Sequence, residues 1–384
     1  MARDVDEPER APTLARLVAY FLRLGALGFG GPIALAGYMQ RDLVERRGWI
    51  ALDDFKQGLA LAQLAPGPLA AQLAIYLGWV RGRLLGATLV AFAFIAPSFA
   101  MVLGLAALYV HFGGLPWMQG VFYGVGAAVI AIIARSAWKL GKTTLGTRWL
   151  LWGIALVNAA VVAATEREVV WLFLAGGVIA LLATSPRRAS PALVVPPWLL
   201  TGLGGVAKGT TVGKLFVFFA QAGAVVFGSG LAIVPFMHGG VVGDHHWLTD
   251  QQFLDAVAVA MITPGPVVIT VAFIGYLVAG ALGAGAAALG VFLPCYLFVV
   301  IPAPFYRRIA GNPQIKAFVD GVTSAAAGAI GGAAIVLARR ALVDLPAALV
   351  AVAALAAISW SRKLPEPLVI VVAGAVGFAL WSAR

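Results

Sequence analysis

Arg16, Tyr20 and Arg23 fall at i, i+4 and i+7, which puts them on one helix face, and Arg23 stands five residues before Gly28 in an otherwise apolar run. Five residues correspond to about 7.5 Å of helix rise. An arginine at membrane depth is costly and is a functional hypothesis by default. Its forked N–H donors suit a tetrahedral oxyanion. Snorkelling to the interface is the competing reading, and for Arg16 the stronger one.

Two stretches nearby cannot continue a helix: Gly28-Phe29-Gly30-Gly31-Pro32 and Gln63-Leu64-Ala65-Pro66-Gly67-Pro68. Proline lacks the N–H and glycine tolerates positive φ. Irregular backbone at membrane depth survives only where protein buries it or a polar cavity receives it. Broken helix ends also leave free N–H groups and a positive dipole end, which suits an anion. Gly28, Gly30, Gly31, Pro66 and Gly67 are therefore binding candidates beside Arg23. Gln63 and Gln72 bracket the second break and are counted with them, although they could equally serve the freed backbone groups. Tight packing or a kink is the alternative use of each break.

Both breaks recur. Phe29-Gly30 matches Phe227-Gly228, Trp49 matches Trp247, Phe55 matches Phe253, and Pro66-Gly67-Pro68 matches Pro264-Gly265-Pro266, all at an offset of 198. Four anchors in one register predict two homologous halves. Beyond them Pro97 pairs with Pro294 and Gly120 with Gly321 after small insertions. The second-half candidates are Gln221, Gly228, Ser229, Gly230, Thr263, Gly265 and Thr270. Arg16 becomes Lys214 and Arg23 becomes Gln221, so the deep cation and the glutamines belong to the first half, and the site is expected to lean that way. Discontinuous segments in corresponding positions are a pointer to a transporter's binding site.

The elements that must position these residues are membrane helices. Of the 384 residues 61% are hydrophobic and 11% charged, with mean hydropathy +0.95, against about 25% charged in soluble domains. The chain is predicted to be an all-α polytopic membrane protein with about 10–12 apolar segments, some of them broken or re-entrant. Short alternating strands of a β-barrel are absent. The halves are placed at 1–183 and 214–384, with a Pro-, Gly- and Arg-containing linker at 184–213. The N-terminus has no cleavable signal pattern, so the first apolar segment is expected to be retained. The net charge of +11 sits mainly in connectors; it reads as a topology signal and not as a nucleic-acid surface.

Loop charge favours inverted halves. Arg81 and Arg83 face the uncharged Ala279-Gly280-Ala281; Arg41, Arg46 and Arg47 face residues 239–246, which lack Lys and Arg; and Gly113-Gly114-Leu115 faces a connector with Arg307, Arg308 and Lys316. One pair dissents, since Arg135, Lys139 and Lys142 correspond to Arg339 and Arg340. Six apolar segments per half would also make the halves parallel unless one fails to cross.

Other chemistry is thinly represented. Lys56, His238, Asp255 and Asp320 are candidates for guiding or coupling the anion, each weak alone. Cys295 is the only cysteine, which excludes an intramolecular disulfide and a cysteine-based zinc site. Asp244-His245-His246 reads as an interfacial loop, not a metal site. Gly209 to Lys214 is one residue short of a P-loop and lacks the following Ser/Thr, and Gly228-Ser229-Gly230 lacks the third glycine of a dinucleotide fingerprint. No cofactor is expected.

Phe-Gly-Gly-Pro at 29–32, Glu45-Arg46-Arg47-Gly48-Trp49 and Gln63 to Pro68 in the first half resemble the chromate ion transporter family. So do Phe227-Gly228-Ser229-Gly230, Trp247-Leu248-Thr249, Phe253-Leu254-Asp255 and Thr263-Pro264-Gly265-Pro266 in the second. The resemblance covers nearly the whole chain, in the long two-domain form. It implies an integral protein of the bacterial inner membrane that exports chromate, a dianion shaped like sulfate, and so confers chromate resistance. The proton motive force or exchange for another anion would drive it. Family members commonly carry a basic residue where Arg23 stands. They often also have one at Gln221, a histidine near Leu35, glutamine at Met261 and an acid near His238; the four departures here weaken the second half as a binding half. The partners expected are chromate or sulfate and membrane lipid, with a homodimer as a further possibility and no nucleic acid. The competing classes are a membrane enzyme acting on a phosphorylated lipid, for which no nucleophile–base constellation appears, and a non-transporting scaffold.

Overall fold

The computed structural model describes residues 13–29, 31–112, 116–165, 170–184, 210–225, 233–305, 312–342, 344–360, 364 and 366–382. Among them the secondary structure is helical, without strands. The first half runs α1 (Leu14–Leu27), α2 (Gly31–Met39) passing into a π-helical turn (Gln40–Arg46), α3 (Leu52–Leu64), α4 (Leu69–Phe112), α5 (Pro116–Leu145), α6 (Trp149–Thr165) and α7 (Val170–Thr184). The second repeats that order: α8 (Thr211–Val225), α9 (Ile233–His238) with its π turn (Gly239–Asp244), and α10 (Asp250–Ile262). A 3-10 turn (Val267–Ile269) leads into α11 (Thr270–Val300), followed by a 3-10 turn (Ala303–Phe305), α12 (Pro313–Ala341), α13 (Leu345–Trp360) and α14 (Glu366–Ser382). Three helical stretches, Leu69–Phe112, Val267–Phe305 and Pro313–Arg339, are long and apolar enough to cross a membrane.

The two Pro-Gly-Pro breaks are not interruptions of crossing helices but tips of hairpins that turn back. α3 and the first arm of α4 (residues 69–81) have 13 residues each. That is about 20 Å of helix, too short for a hydrocarbon core of about 30 Å. Gly58 packs under the Tyr76 ring, and Tyr76 donates a hydrogen bond of 3.4 Å to Gln57 Oε1, so the two segments lie side by side and antiparallel. At the tip Ala65 is extended and Gly67 has φ +131°; the second-half tip has Thr263 extended and Gly265 at φ +98°. Glycine is required at both.

A second reversal splits α4. Gly82 (φ −142°, ψ 21°) and Arg83 (φ 49°, ψ −137°) turn the chain so that the Gly78 and Gly86 backbones touch. In α11 the same turn is made by Ala279 (φ −147°, ψ 29°) and Gly280 (φ 62°, ψ −154°), with Gly275 on Gly283. These pairs are offset by 197, as are Pro97 and Pro294, so the second half loses one residue between its hairpin tip and this turn.

The halves are inverted. α5 and α12 are equivalent yet antiparallel: Arg148, just beyond the end of α5, pairs at 2.7 Å with Asp320 near the start of α12. At the other end Tyr123 of α5 bonds Asp344, just past α12. Gly328 and Gly332 of α12 sit on Ala155 and Ala159, so α12 runs parallel to α6. Contacts exchange as a pseudo-two-fold axis requires: Gly67 packs on Cys295 and Gly265 on Ser98, while Gly25 meets the Phe94 carbonyl and Gly223 that of Val291.

The last helix of each half docks on the other half. Gly176 and Gly177 of α7 meet Gly321 and Phe318 of α12, and Gly124 of α5 meets Ala373 and Gly377 of α14. A separate apolar cluster joins Ile154, Ala155 and Val162 of α6 and Phe173 and Ala180 of α7 to Val322, Ala325 and Ala329 of α12.

With helix senses set, the two faces differ in charge. Arg41, Arg46, Arg47, Arg81, Arg83, Lys139, Lys142, Arg148 and Lys316 lie toward the face where α1 begins. Lys214 and Arg339 lie toward the other. The dissenting loop pair is thus divided between faces like the rest.

Candidate functional site

α1 and the segment of α2 with its π turn double back on each other, bringing Arg47 over the Tyr20 ring, and this first hairpin encloses an open cavity of about 1000 Å³. α1 supplies Arg16, Tyr20 and Arg23, and its end supplies Leu27, Gly28 and Phe29. The returning arm of the hairpin supplies Tyr38, Arg41, Asp42, Arg46, Arg47 and Trp49. α1 presents its polar residues on the i, i+4, i+7 face, while Leu17, Phe21 and Leu24, each one residue further round the helix, are buried. On the return, the π turn bonds i to i+5 and so brings Arg41 and Arg46 to one side; such turns are frequent at functional sites. Gly48, at φ +60°, then swings Trp49 back over the cavity.

Five guanidinium groups face one carboxylate. Asp42 Oδ1 lies 3.3 Å from Arg41 Nε and 3.7 Å from Arg46 Nη1. Arg47 is stacked between two rings, 5.7 Å from the Tyr20 centroid and 4.5 Å from Trp49, and Arg41 is 5.3 Å from Tyr38. Cation–π contacts hold the guanidinium planes while leaving N–H donors for a ligand. The Tyr20 hydroxyl is buried, with Asp42 as its polar neighbour and no hydrogen bond of ordinary geometry, and a buried hydroxyl without one is unusual. This arrangement can neutralise and hydrogen-bond a multiply charged oxyanion.

The cavity ends where the halves join. The Gly28 carbonyl accepts the Gly265 N–H at 2.9 Å. Beside it, Ser98 Oγ donates to the Gly25 carbonyl at 3.2 Å. Arg23 and Gly28 therefore share one cavity, and Gly265 touches its floor through the backbone.

The other candidates are placed elsewhere or occupied. Gln72 is fully buried, its Nε2 donating to the Pro66 carbonyl beside Gly67 and its Oε1 left without a partner. Thr263 Oγ1 donates to the Ala260 carbonyl at 3.0 Å and Thr270 Oγ1 to that of Val267 at 2.8 Å, so both satisfy backbone freed at the tip. Gln63 and Lys56 are exposed on α3, Gln221 is half-buried on α8, and Gly31 opens α2. Gly30, Gly228, Ser229 and Gly230 lie outside the described residues. His238 bonds Asp250 at 2.7 Å, Asp255 bonds Tyr109 and Gln251, and Asp320 pairs with Arg148, all away from the cavity. Among the described residues no three His, Cys, Asp or Glu side chains cluster for a metal.

Among the described residues the second half repeats the helices of the site without most of its cations. At the equivalents of Tyr20, Arg23, Arg41, Arg46 and Arg47 stand Phe218, Gln221, Gly239, Asp244 and His245. His245 is stacked on Trp247 at 4.3 Å and edge-on to Phe218, much as Arg47 meets Trp49 and Tyr20. Burial, aided by Lys214 and opposed by Asp244, holds His245 below the ordinary histidine value. The copy keeps one cation, Lys214 at the equivalent of Arg16, and sets the Asp244 carboxylate where Arg46 stands, so it lacks the surplus of positive charge of the original.

The family model of the chromate transporters matches residues 15–181 and 213–378, one match per half. The chain belongs to the chromate transporter family. It is 59% identical over 375 residues to the chromate transport protein of Cupriavidus metallidurans, covering 96% of this chain and 94% of that one. It is 56% identical over 381 residues to a probable chromate transport protein of Synechococcus elongatus, with 97% of each covered. It is 35% identical over 392 residues to the chromate transport protein of Pseudomonas aeruginosa, covering 95% and 92%. No solved structure matches the chain.

Within this chromate transporter family member, the arginines of residues 41–47 are cavity residues that reading along the chain counts only as loop charge, and Tyr20 is one that it puts on the face of Arg23 without a role. Only a hairpin that doubles back brings them against Arg23, and the signal available was the helix-breaking Gly28 to Pro32 between two basic faces.

Proposed function

We propose that the chain carries chromate out of the cell across the bacterial inner membrane, binding the dianion in the arginine-lined cavity of the first hairpin. The observation that carries this reading is the convergence of Arg16, Arg23, Arg41, Arg46 and Arg47 on one cavity that ends at the backbone seam between the halves. Relatives named as chromate transport proteins align with the whole chain. The outer arginines attract the dianion, Arg23 receives it at depth, and the Tyr20 hydroxyl adds a donor. Direction follows from charge: the cavity opens on the face that carries most of the Lys and Arg, and such faces are cytoplasmic. Alternating access then delivers the anion to the opposite face, and removal of chromate from the cell gives resistance.

The test is chromate and sulfate flux in proteoliposomes with wild type and Arg23→Gln. Loss of a charge-assisted contact of about 1.5–3 kcal/mol should lower initial rates roughly tenfold or more. Unchanged affinity and rate would remove Arg23 from the site, and absence of flux of either anion in wild type would refute transport.

A further inference from the structure

Asp255 is the group in this molecule whose surroundings fit a change of protonation best. It lies one and a half turns inside α10, is 3% exposed, and is bonded by neutral donors: Tyr109 OH to Oδ2 at 2.8 Å and Gln251 Nε2 to Oδ1 at 2.8 Å. Among the described residues no cation pairs with it. An ionised carboxylate without a counter-charge at such a place is strongly disfavoured. The groups facing it have been assigned elsewhere or are neutral. α4 brings Tyr109, and α5 brings Tyr123, which is bonded to Asp344. α9 brings His238, which is bonded to Asp250 and edge-on to Phe253. α11 contributes Phe273 and, further along, Tyr276, and α14 carries Glu366 at its far end, near Arg135 and Lys139.

Both partners of Asp255 can serve either protonation state. A phenol rotates from donating to accepting, and an amide turns its oxygen toward a carboxylic acid's O–H. The inverted repeat supplies a comparison: the equivalent of Asp255 in the first half is Gln57, permanently neutral and bonded by Tyr76 OH. One half therefore holds a titratable group where the other holds its uncharged counterpart. Position matters as well. Asp255, with the exposed Gln251 above it, lies toward the face where α4 ends and α10 begins, whereas the arginine cavity opens on the opposite face.

We infer that Asp255 is the proton-binding site that couples anion movement to a proton gradient, taking a proton from the face opposite the arginine cavity. The carboxylate takes one proton from water on that face, crosses the conformational change as the neutral acid, and returns the proton to water on the cavity face as the anion travels the other way. This inference rests on the transport reading.

The experiment uses full-length protein in proteoliposomes with the membrane potential clamped and chromate as the anion. A one-unit pH gradient should sustain about a tenfold chromate gradient per proton exchanged in wild type. Asp255→Asn should equilibrate chromate without accumulating it, yet keep chromate–chromate exchange, and Asp255→Glu should restore accumulation. Accumulation by Asp255→Asn would overturn the inference, and so would failure of Asp255→Glu to restore accumulation. Wild-type flux indifferent to the pH gradient would overturn it alone and leave transport standing; absence of wild-type flux would overturn the transport reading.

Discussion

Gly265→Ala tests the seam between the halves. Gly265 adopts φ +98°, donates its N–H to the Gly28 carbonyl at 2.9 Å, and a Cβ there would overlap Ser98 Oγ and stand 3.3 Å from the Gly25 carbonyl. Positive φ costs an alanine about 1–2 kcal/mol. Displacing Ser98 or the tip forfeits a hydrogen bond worth about 1 kcal/mol, and overpacking adds about 1–3 kcal/mol. Together these give a loss of about 3–6 kcal/mol, a large share of a stability of about 5–15 kcal/mol. The assay is thermal unfolding in detergent followed by tryptophan fluorescence, with chromate flux measured in parallel. Gly265→Ala should unfold many degrees lower, and Ser98→Ala in the same chain should recover part of the loss by removing the overlapped oxygen. Gly37→Ala, where an added Cβ meets nothing within 4 Å, is the control. An unchanged unfolding temperature and flux in Gly265→Ala would refute the argument that the tip is held by this contact.

Tyr20→Phe separates binding from folding. The hydroxyl makes no hydrogen bond of ordinary geometry, Asp42 being its polar neighbour, so the unfolding temperature should change little. A lost bond to a charged ligand should weaken chromate affinity about tenfold or more. Equal affinity, read by quenching of Trp49 in the cavity wall, would exclude the hydroxyl from the site. For His245 the folded value lies below the ordinary one of about 6.5, so its neutral form favours folding. That stability is present above the unfolded value and is lost as pH falls through the folded one. Wild type should therefore lose unfolding temperature between about pH 7 and 5 faster than His245→Gln, and parallel curves would contradict this.

Much of the architecture was legible along the chain because its signals are local. The 198-residue register, the glycine and proline breaks and the charge-poor loops at 239–246 and 279–281 each depend on a few adjacent residues. The hairpins were not, because Pro66-Gly67-Pro68 reads the same in a kinked crossing helix as in a tip; 13-residue arms decide it, and the turn at Gly82 and Arg83 carries no proline. The site divides likewise. Arg23 stood out as a lone cation in an apolar run, whereas Arg46 and Arg47 counted only as loop charge that sets topology. The roles of Gln72, Thr263 and Thr270 depended on which backbone carbonyls lay within reach, which spacing does not reveal.

The exchanged terminal helices bear on what can move. With α7 seated on α12 and α14 on α5, the two halves are threaded through each other and cannot swing apart as bodies without unpacking Gly176 from Gly321 and Gly124 from Gly377. The sparsest packing lies elsewhere. α1 to α4 and α8 to α11 pack densely among themselves, as do α5 to α7 with α12 to α14, and packing between the two sets is sparser. A carriage made from the hairpins of both halves, sliding against a frame made from the remaining helices of both, leaves every exchanged contact intact and keeps the Gly28–Gly265 bond within the carriage.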